Sequence, residues 1–269
     1  MSKFKKYAKN EKYSYTLGPF PTWELIDNNS ENIVAIFIDD RFNDKEKLIN
    51  ELEKKKIYYE IAPSAIRRIA EKDNTYVVGV FNKTNEEIIS ENNHVVLHNI
   101  SDMGNLGTII RSMAAFNVFD LALVGNTCDI YNPKVIRASM GSYFKIRVSF
   151  FDTMEEYIEK HKNNLYLFML SNDEKDSIYN TKVVSPYSLV MGNEGAGLPE
   201  SFEKFGRKVF IPQSKEVDSL NLPIATSIGL YEFRRQDEIN SIWCRRHNFG
   251  YFRYNNVSCK WDLKRKWFL

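Results

Sequence analysis

Cysteine is scarce in this chain: Cys128, Cys244 and Cys259 are the only three in 269 residues. An odd number, widely spaced, argues against a disulfide framework or a thiolate metal cluster and fits a reducing cytoplasm. No metal site is expected. Long apolar runs are also missing. No stretch approaches the roughly 18 uninterrupted apolar residues of a membrane span. The basic start, Met1-Ser2-Lys3-Phe4-Lys5-Lys6, is not followed by the apolar stretch of a secretory signal. Internal repeats and low-complexity tracts are absent, and so is the G-x-G-x-x-G order of a dinucleotide fingerprint. A nicotinamide-dependent oxidoreductase is thereby disfavoured.

What is present is an ordinary globular composition, 43% hydrophobic and 14% aromatic, long enough for one large or two modest cores. The net charge of +2 conceals a pattern. Residues 1–13 and 234–269 hold 14 of the 37 basic residues but only four of the 35 acids. The middle is therefore acidic and both ends basic, as expected where the ends meet a polyanion. In the C-terminal segment the charges are interleaved with Trp243, Phe249, Tyr251, Phe252, Tyr254, Trp261, Trp267 and Phe268. That mixture suits stacking on looped RNA, and equally a segment packed back onto the protein.

An apolar run rich in β-branched residues predicts a strand at Ile33–Ile38, with further strands at Ile57–Ile61 and Tyr76–Phe81 and helices over Asp44–Lys55 and Pro63–Ala70 between them. This alternation implies a small α/β unit of 16–84, preceded by a basic segment of 1–15. The polar stretch Asn82–Asn93 marks a boundary. Beyond it, strands are expected at Val95–Leu97, Leu121–Val124, Leu165–Leu170, Leu189–Met191 and Val209–Ile211, with helices over Leu106–Phe116, Met154–His161 and Leu222–Arg235. Short apolar strands alternating with helices imply a mostly parallel sheet covered on both faces. Residues 236–269 form a basic, aromatic extension.

Three polar-glycine segments fall where strands should meet helices, the position at which an open α/β sheet places its ligand. In the first, Asn105 stands at a helix start where it can cap free amides. Gly107 permits close approach of backbone or ligand. Arg111 lies in an otherwise apolar stretch (Ile109, Ile110, Met113), where a permanent charge must find an anion or several acceptors. In the second, Met191-Gly192-Asn193-Glu194-Gly195-Ala196-Gly197-Leu198-Pro199, three glycines leave backbone amides open to a ligand or simply form a turn. In the third, Ser219 or Asn221 can cap the last helix, with Pro223 in its first turn, or can face a hydroxyl or phosphate there.

In order and separation these segments resemble the three motifs of the SpoU/TrmH-type ribose 2′-O-methyltransferases of the SPOUT superfamily. Asp102 to Ser112 is similar to the first motif and Met191 to Pro199 to the second. Ile211-Pro212 with Ser219-Leu220-Asn221 is similar to the third, and Arg137-Ala138-Ser139-Met140-Gly141-Ser142 resembles a segment between them. The likeness covers roughly 94–235, and the N-terminal unit looks like the ribosomal-protein-type RNA-binding domain of many relatives. Met103 departs from the family, which often has proline there.

The resemblance implies a trefoil-knotted, mostly parallel sheet, an exception to the rule against knots. It implies S-adenosylmethionine as methyl donor, structured rRNA or tRNA as substrate, a homodimer, and neither membrane nor DNA as partner. Gly192, Ile211 and Leu220 would line the cofactor pocket. Asn105, Arg111, Glu194, Ser219 and Asn221 would surround the reacting ribose. The donor methyl is already activated, so the residues need only position a 2′-hydroxyl and help with its proton. A guanidinium is a poor base. Arg111 is better suited to orient the target phosphate and stabilise a developing alkoxide while Ser219 and Asn221 hold the sugar. A non-catalytic RNA-binding relative is the other reading.

Overall fold

The computed structural model describes residues 4–246 apart from 71–73, 85, 172, 215, 217 and 218, with side chains as far as residue 238. The first sheet is built from β1 (Tyr13–Leu17), α1 (Pro19–Asn28), β2 (Ile33–Ile38), α2 (Lys45–Lys54), β3 (Tyr59–Ile61), α3 (Pro63–Ile69) and β4 (Val77–Asn82). The alternation read from the sequence is present, but only β2 and β3 run parallel. The strand order is β1-β4-β2-β3, with β4 antiparallel to both neighbours. Neither β1 nor α1 is foreseen above, because Ser14 and Thr16 interrupt the apolar signal. Both are buried and hydrogen-bonded: Gly79 N donates to Thr16 Oγ1 at 2.9 Å, and Ser14 Oγ donates to the Tyr131 carbonyl. Such bonding removes most of the desolvation cost of burying them.

The second sheet is wholly parallel. Its elements are β5 (His94–His98), α4 (Met103–Ala115), β6 (Asp120–Val124), α5 (Pro133–Ala138), β7 (Arg147–Phe151), α6 (Met154–Lys160), β8 (Asn164–Phe168), β9 (Tyr187–Met191), β10 (Arg207–Val209) and α7 (Leu222–Arg246). The strand order is β10-β8-β9-β5-β6-β7. Side chains alternate across β5: Val95 and Leu97 face one core, with Leu106, Ile110, Met113, Leu230 and Phe233, while Val96 faces another, with Met154, Tyr157 and Phe202. A period of two with both faces buried accounts for the uninterrupted apolar runs. The extended Asp129–Ser142 stretch carries α5, which the sequence reading passed over, as it did β7. The last helix runs past Arg235 to Arg246. The aromatic residues beyond it, from Phe249 onward, lie outside the described residues.

Two features of this sheet position the site. The chain moves outward through β6 and β7, then crosses back to build β8, β9 and β10 on the other side of β5. Strand order therefore reverses between β5 and β9, and beyond the carboxyl ends of such a pair is where an open α/β sheet places its ligand. At the opposite end the sheet is sealed by polar groups. Arg147 makes a two-point ion pair with buried Asp120, at 2.7 and 2.6 Å. His94 Nδ1 is 2.7 Å from the Tyr157 hydroxyl, which in turn meets Ser188.

Candidate active site at the carboxyl ends of β5 and β9

The loop after β5 and the loop after β9 meet through one carboxylate. Glu194 Oε1 accepts from the Asp102 amide at 3.0 Å and from Asn105 Nδ2 at 3.4 Å. Its Oε2 accepts from the Ser101 hydroxyl at 3.0 Å, the Ser101 amide at 3.3 Å and Asn193 Nδ2 at 3.2 Å. Partial burial pushes this carboxyl up, but the amides of Asp102 and Ser101 and the Asn105 side chain outweigh it, holding Glu194 below the usual carboxylate range. Glu194 is therefore an anion bound by donors from both loops.

The expected capping role of Asn105 is corrected. The N-cap of α4 is Asp102, whose carboxylate accepts from the Asn105 amide at 2.7 Å. Asn105 sits in the first turn, and its side chain reaches across to Glu194 instead. The signal was in the sequence: an aspartate three positions ahead of Asn105 is the better cap.

The burial expected of Arg111 is corrected as well. The buried residues of α4 are Leu106, Gly107, Ile109, Ile110 and Met113. Arg111 falls on the opposite face, is exposed, and makes no hydrogen bond or ion pair among the described residues. Its charge is not forced on an internal partner. It stands in solvent, free to meet an anion.

Gly107 serves packing. A Cβ there would lie 2.5 Å from both the Val135 carbonyl oxygen and the Ala138 Cβ, so glycine is what lets α4 and α5 touch. Gly192 is similarly constrained: a Cβ would fall 2.1 Å from the Gly197 carbonyl carbon. The five-residue turn from Asn193 to Gly197 is closed by paired backbone bonds between those two residues, at 3.2 and 3.0 Å. Asn193 braces it, accepting from the Gly195 and Ala196 amides and donating to the Asn99 carbonyl at 2.8 Å. The sequence reading singled out neither Asn193 nor Ser101, though an Asx turn before Gly-Ala-Gly was a usable sign.

The third segment leads into α7. Ile211 and Leu220 are half-buried, and Ile211 packs on the larger core. Ser219 and Asn221 are exposed, with no side-chain hydrogen bond among the described residues. Asn221 contributes its carbonyl to the helix start, accepting from the Ala225 amide at 3.0 Å. The opening turn of α7 lies against α4: Ser112 and Ser227 hydroxyls are 2.8 Å apart, and Thr108 shares a groove with Pro223 and Ile224. Thus Asn105 and Glu194 are in direct contact, Arg111 lies on the same helix as Asn105, and the last segment enters beside that helix. Among the described residues no group of three or more His, Cys, Asp or Glu could hold a metal, and no helix is long and apolar enough to cross a membrane.

Residues 92–231 match the model of the SpoU rRNA methylase family. A tRNA/rRNA methyltransferase of Synechocystis without assigned function is 35% identical over 144 residues, 53% of this chain and 53% of that protein. The chain thus spans about half the length of that curated relative. A 23S rRNA guanosine 2′-O-methyltransferase of Bacillus subtilis is 24% identical over 71% of this chain and 78% of its own. Among solved structures, the AdoMet-bound rRNA methyltransferase of Sinorhizobium meliloti superposes with a TM-score of 0.70 at 28% identity, covering 83% of this chain and 87% of that one.

Proposed function

The chain belongs to the SpoU rRNA methylase family, and on that premise we propose that it transfers a methyl group from S-adenosylmethionine to a ribose 2′-hydroxyl in structured rRNA or tRNA. The observation that carries this reading is the contact between Asn105 and Glu194, which joins the first two family motifs at the reversal of strand order. The bound donor supplies an electrophilic methyl on sulfonium, so the protein's own work is positioning.

The residues fit such a donor. Gly192 offers backbone at the end of β9, and half-buried Ile211 and Leu220 offer apolar surface. Beside Gly192, one residue past the paired Leu97 and Met191, His98 keeps a buried Nδ1 that has no hydrogen-bond partner among the described residues. We assign Gly192, Ile211 and Leu220 to the donor pocket. Glu194 and Asn105 fix the loop edges, Ser219 and Asn221 hold the sugar, and Arg111 orients the target phosphate and stabilises developing negative charge on the 2′-oxygen. Arg111 keeps its proton throughout.

The same reading includes a trefoil knot within 94–235, supported by the return of α7 across α4 after β10 has paired beside β8. It takes 16–84 as an RNA-binding domain, flanked by the basic 1–15 and 236–269. A homodimer is supported by the apolar face of α7. Ile224 and Tyr231 are 53% and 59% exposed, and with Ile228, Pro223 and Phe116 they line an open groove of about 350 Å³. A second copy of this surface would cover it. A reducing, cytoplasmic setting suits the free thiol of Cys128.

The test is methyl transfer. Protein, S-adenosylmethionine labelled in the methyl group and purified rRNA or tRNA are incubated, and the RNA is digested to nucleosides. A labelled 2′-O-methylnucleoside is the expected product. A base-methylated product, or RNA binding without transfer, contradicts the reading, the latter in favour of a non-catalytic relative.

A further inference from the structure

From Phe4 onward the N-terminal basic segment is anchored to the first sheet. Phe4 packs edge-on against Tyr13 and Phe37, at ring separations of 5.1 and 5.9 Å. The Tyr15 hydroxyl donates to the Lys5 carbonyl at 2.5 Å. Lys83, from the end of the first sheet, donates Nζ to the Lys9 carbonyl at 2.8 Å and sits 4.7 Å over the Tyr7 ring. Its amide donates to the Lys12 carbonyl at 2.9 Å. The Tyr7 hydroxyl crosses to the second sheet and donates to the carboxylate of Asp129. Burial and that bond hold the phenol far above its ordinary range, so it remains a donor.

These bonds fix the backbone while leaving charge in solvent. Lys5, Lys9 and Lys12 are exposed and have no ion-pair partner among the described residues; Glu11 is the one acid on the segment. The anchor residue Asp129 belongs to the connection after β6. Within that connection the Cys128 amide donates to the Ile100 carbonyl at 2.8 Å, next to Ser101 and its bond to Glu194. The following Tyr131 accepts from Ser14 of β1 and leads into α5, which touches both β1 and α4. On α5, Lys134 and Arg137 are also exposed and unpaired among the described residues. Cations thus run from the N-terminal segment over α5 toward the helix that carries Arg111.

We propose that Lys5, Lys9 and Lys12, held by the Tyr7–Asp129 strap, together with Lys134 and Arg137, form a fixed track for the RNA phosphate backbone leading into the site. The proposal rests on the methyltransferase reading and adds where the RNA is gripped. A track fixed before binding avoids the ordering cost of a mobile tail and holds the sugar in register with Arg111. RNA is favoured over a lipid surface because the cations lie on segments that lead toward the proposed ribose site, and Phe4, the apolar side chain beside these lysines, is packed on Tyr13 and Phe37 and not free to enter a bilayer.

The experiment uses the full chain carrying Lys5→Ala, Lys9→Ala and Lys12→Ala, with binding to a fluorescein-labelled RNA hairpin and to purified 23S rRNA followed against salt. We expect affinity to fall about tenfold or more near 0.15 M salt, and the slope of log affinity on log salt to shallow by roughly two to three, one counterion term per lost contact. Thermal midpoint and S-adenosylmethionine affinity report that the fold is kept. A Tyr7→Phe variant, which keeps every lysine, weakens binding with the slope unchanged. Equal RNA affinity and slope in wild type and triple variant overturn the proposal, whether or not methyl is transferred. Loss of binding only to phosphatidylserine vesicles overturns it in favour of a membrane surface. If RNA binding falls as expected but the wild type transfers no methyl, the track stands and the methyltransferase reading fails.

Discussion

Asn105 Nδ2 donates to Glu194 Oε1 at 3.4 Å across a gap of 89 residues in sequence, joining the loop after β5 to the turn after β9. The same carboxylate oxygen takes the Asp102 amide at 3.0 Å. One anion thus organises the start of α4, the helix that also presents Arg111.

Glu194→Gln removes that charge while keeping the shape. We expect methyl transfer to fall by one to two orders of magnitude, with RNA affinity nearly unchanged, because charge-assisted bonds are about twice as strong as neutral ones. Stability carries a pH signature. The Glu194 carboxyl is held below its ordinary value of 4.5 in the folded protein. Its contribution is therefore present above the unfolded value and lost as pH falls through the folded one. Urea midpoints of wild type and Glu194→Gln should differ at pH 7 and converge toward pH 3; a constant difference contradicts the assignment.

Arg111 is exposed and without an internal partner among the described residues, so its replacement should leave the fold within about 0.5 kcal/mol of wild type. Activity should behave otherwise. Arg111→Ala is expected to lose roughly 10²–10³-fold in turnover, and Arg111→Lys to remain well below wild type because the planar two-point donor is gone. Single-turnover methylation with saturating RNA measures both. Near-normal turnover of Arg111→Lys at neutral pH contradicts the need for a guanidinium.

Gly107→Ala puts a methyl 2.5 Å from the Val135 carbonyl and from Ala138 Cβ. Alanine gains up to about 1 kcal/mol in helix propensity. A backbone oxygen at that distance cannot swing away, so α4 and α5 must separate. Net destabilisation of about 1–3 kcal/mol is expected, read as a lower denaturation midpoint. An unchanged or raised midpoint would mean the contact relaxes freely.

His161 is buried beside His94 and keeps Nε2 without a partner among the described residues, while Nδ1 lies 2.9 Å from the Ser90 hydroxyl. Burial first, then the neighbouring His94 and Lys160 charges, pushes its imidazole down from 6.5 to about 4. The unfolded chain binds that proton more readily, so stability is complete above about pH 6.5 and declines as pH falls toward 4. Chemical denaturation between pH 7 and 4 should show this decline, and His161→Asn should flatten it.

Much of the parallel sheet was legible because both of its faces are buried, and short uninterrupted apolar runs such as Leu121–Val124 announce that directly. What escaped was written in other terms. β1 alternates tyrosine with Ser14 and Thr16, whose burial depends on hydrogen-bond partners far along the chain. The direction of β4 is set by tertiary pairing. Arg111 was misjudged by reading a run where a period was needed: Leu106, Ile109, Ile110 and Met113 define the core stripe, and position 111 falls off it. The contact of Asn105 with Glu194 could be anticipated only through the family resemblance, since no local pattern pairs residues so distant.

Ribose methylation is decided by nucleoside analysis of RNA after incubation with S-adenosylmethionine. A 2′-O-methylnucleoside should form with wild-type protein and nearly vanish with Arg111→Ala. A methylated base, or no transfer to any rRNA or tRNA while S-adenosylmethionine and RNA are both bound, would contradict it.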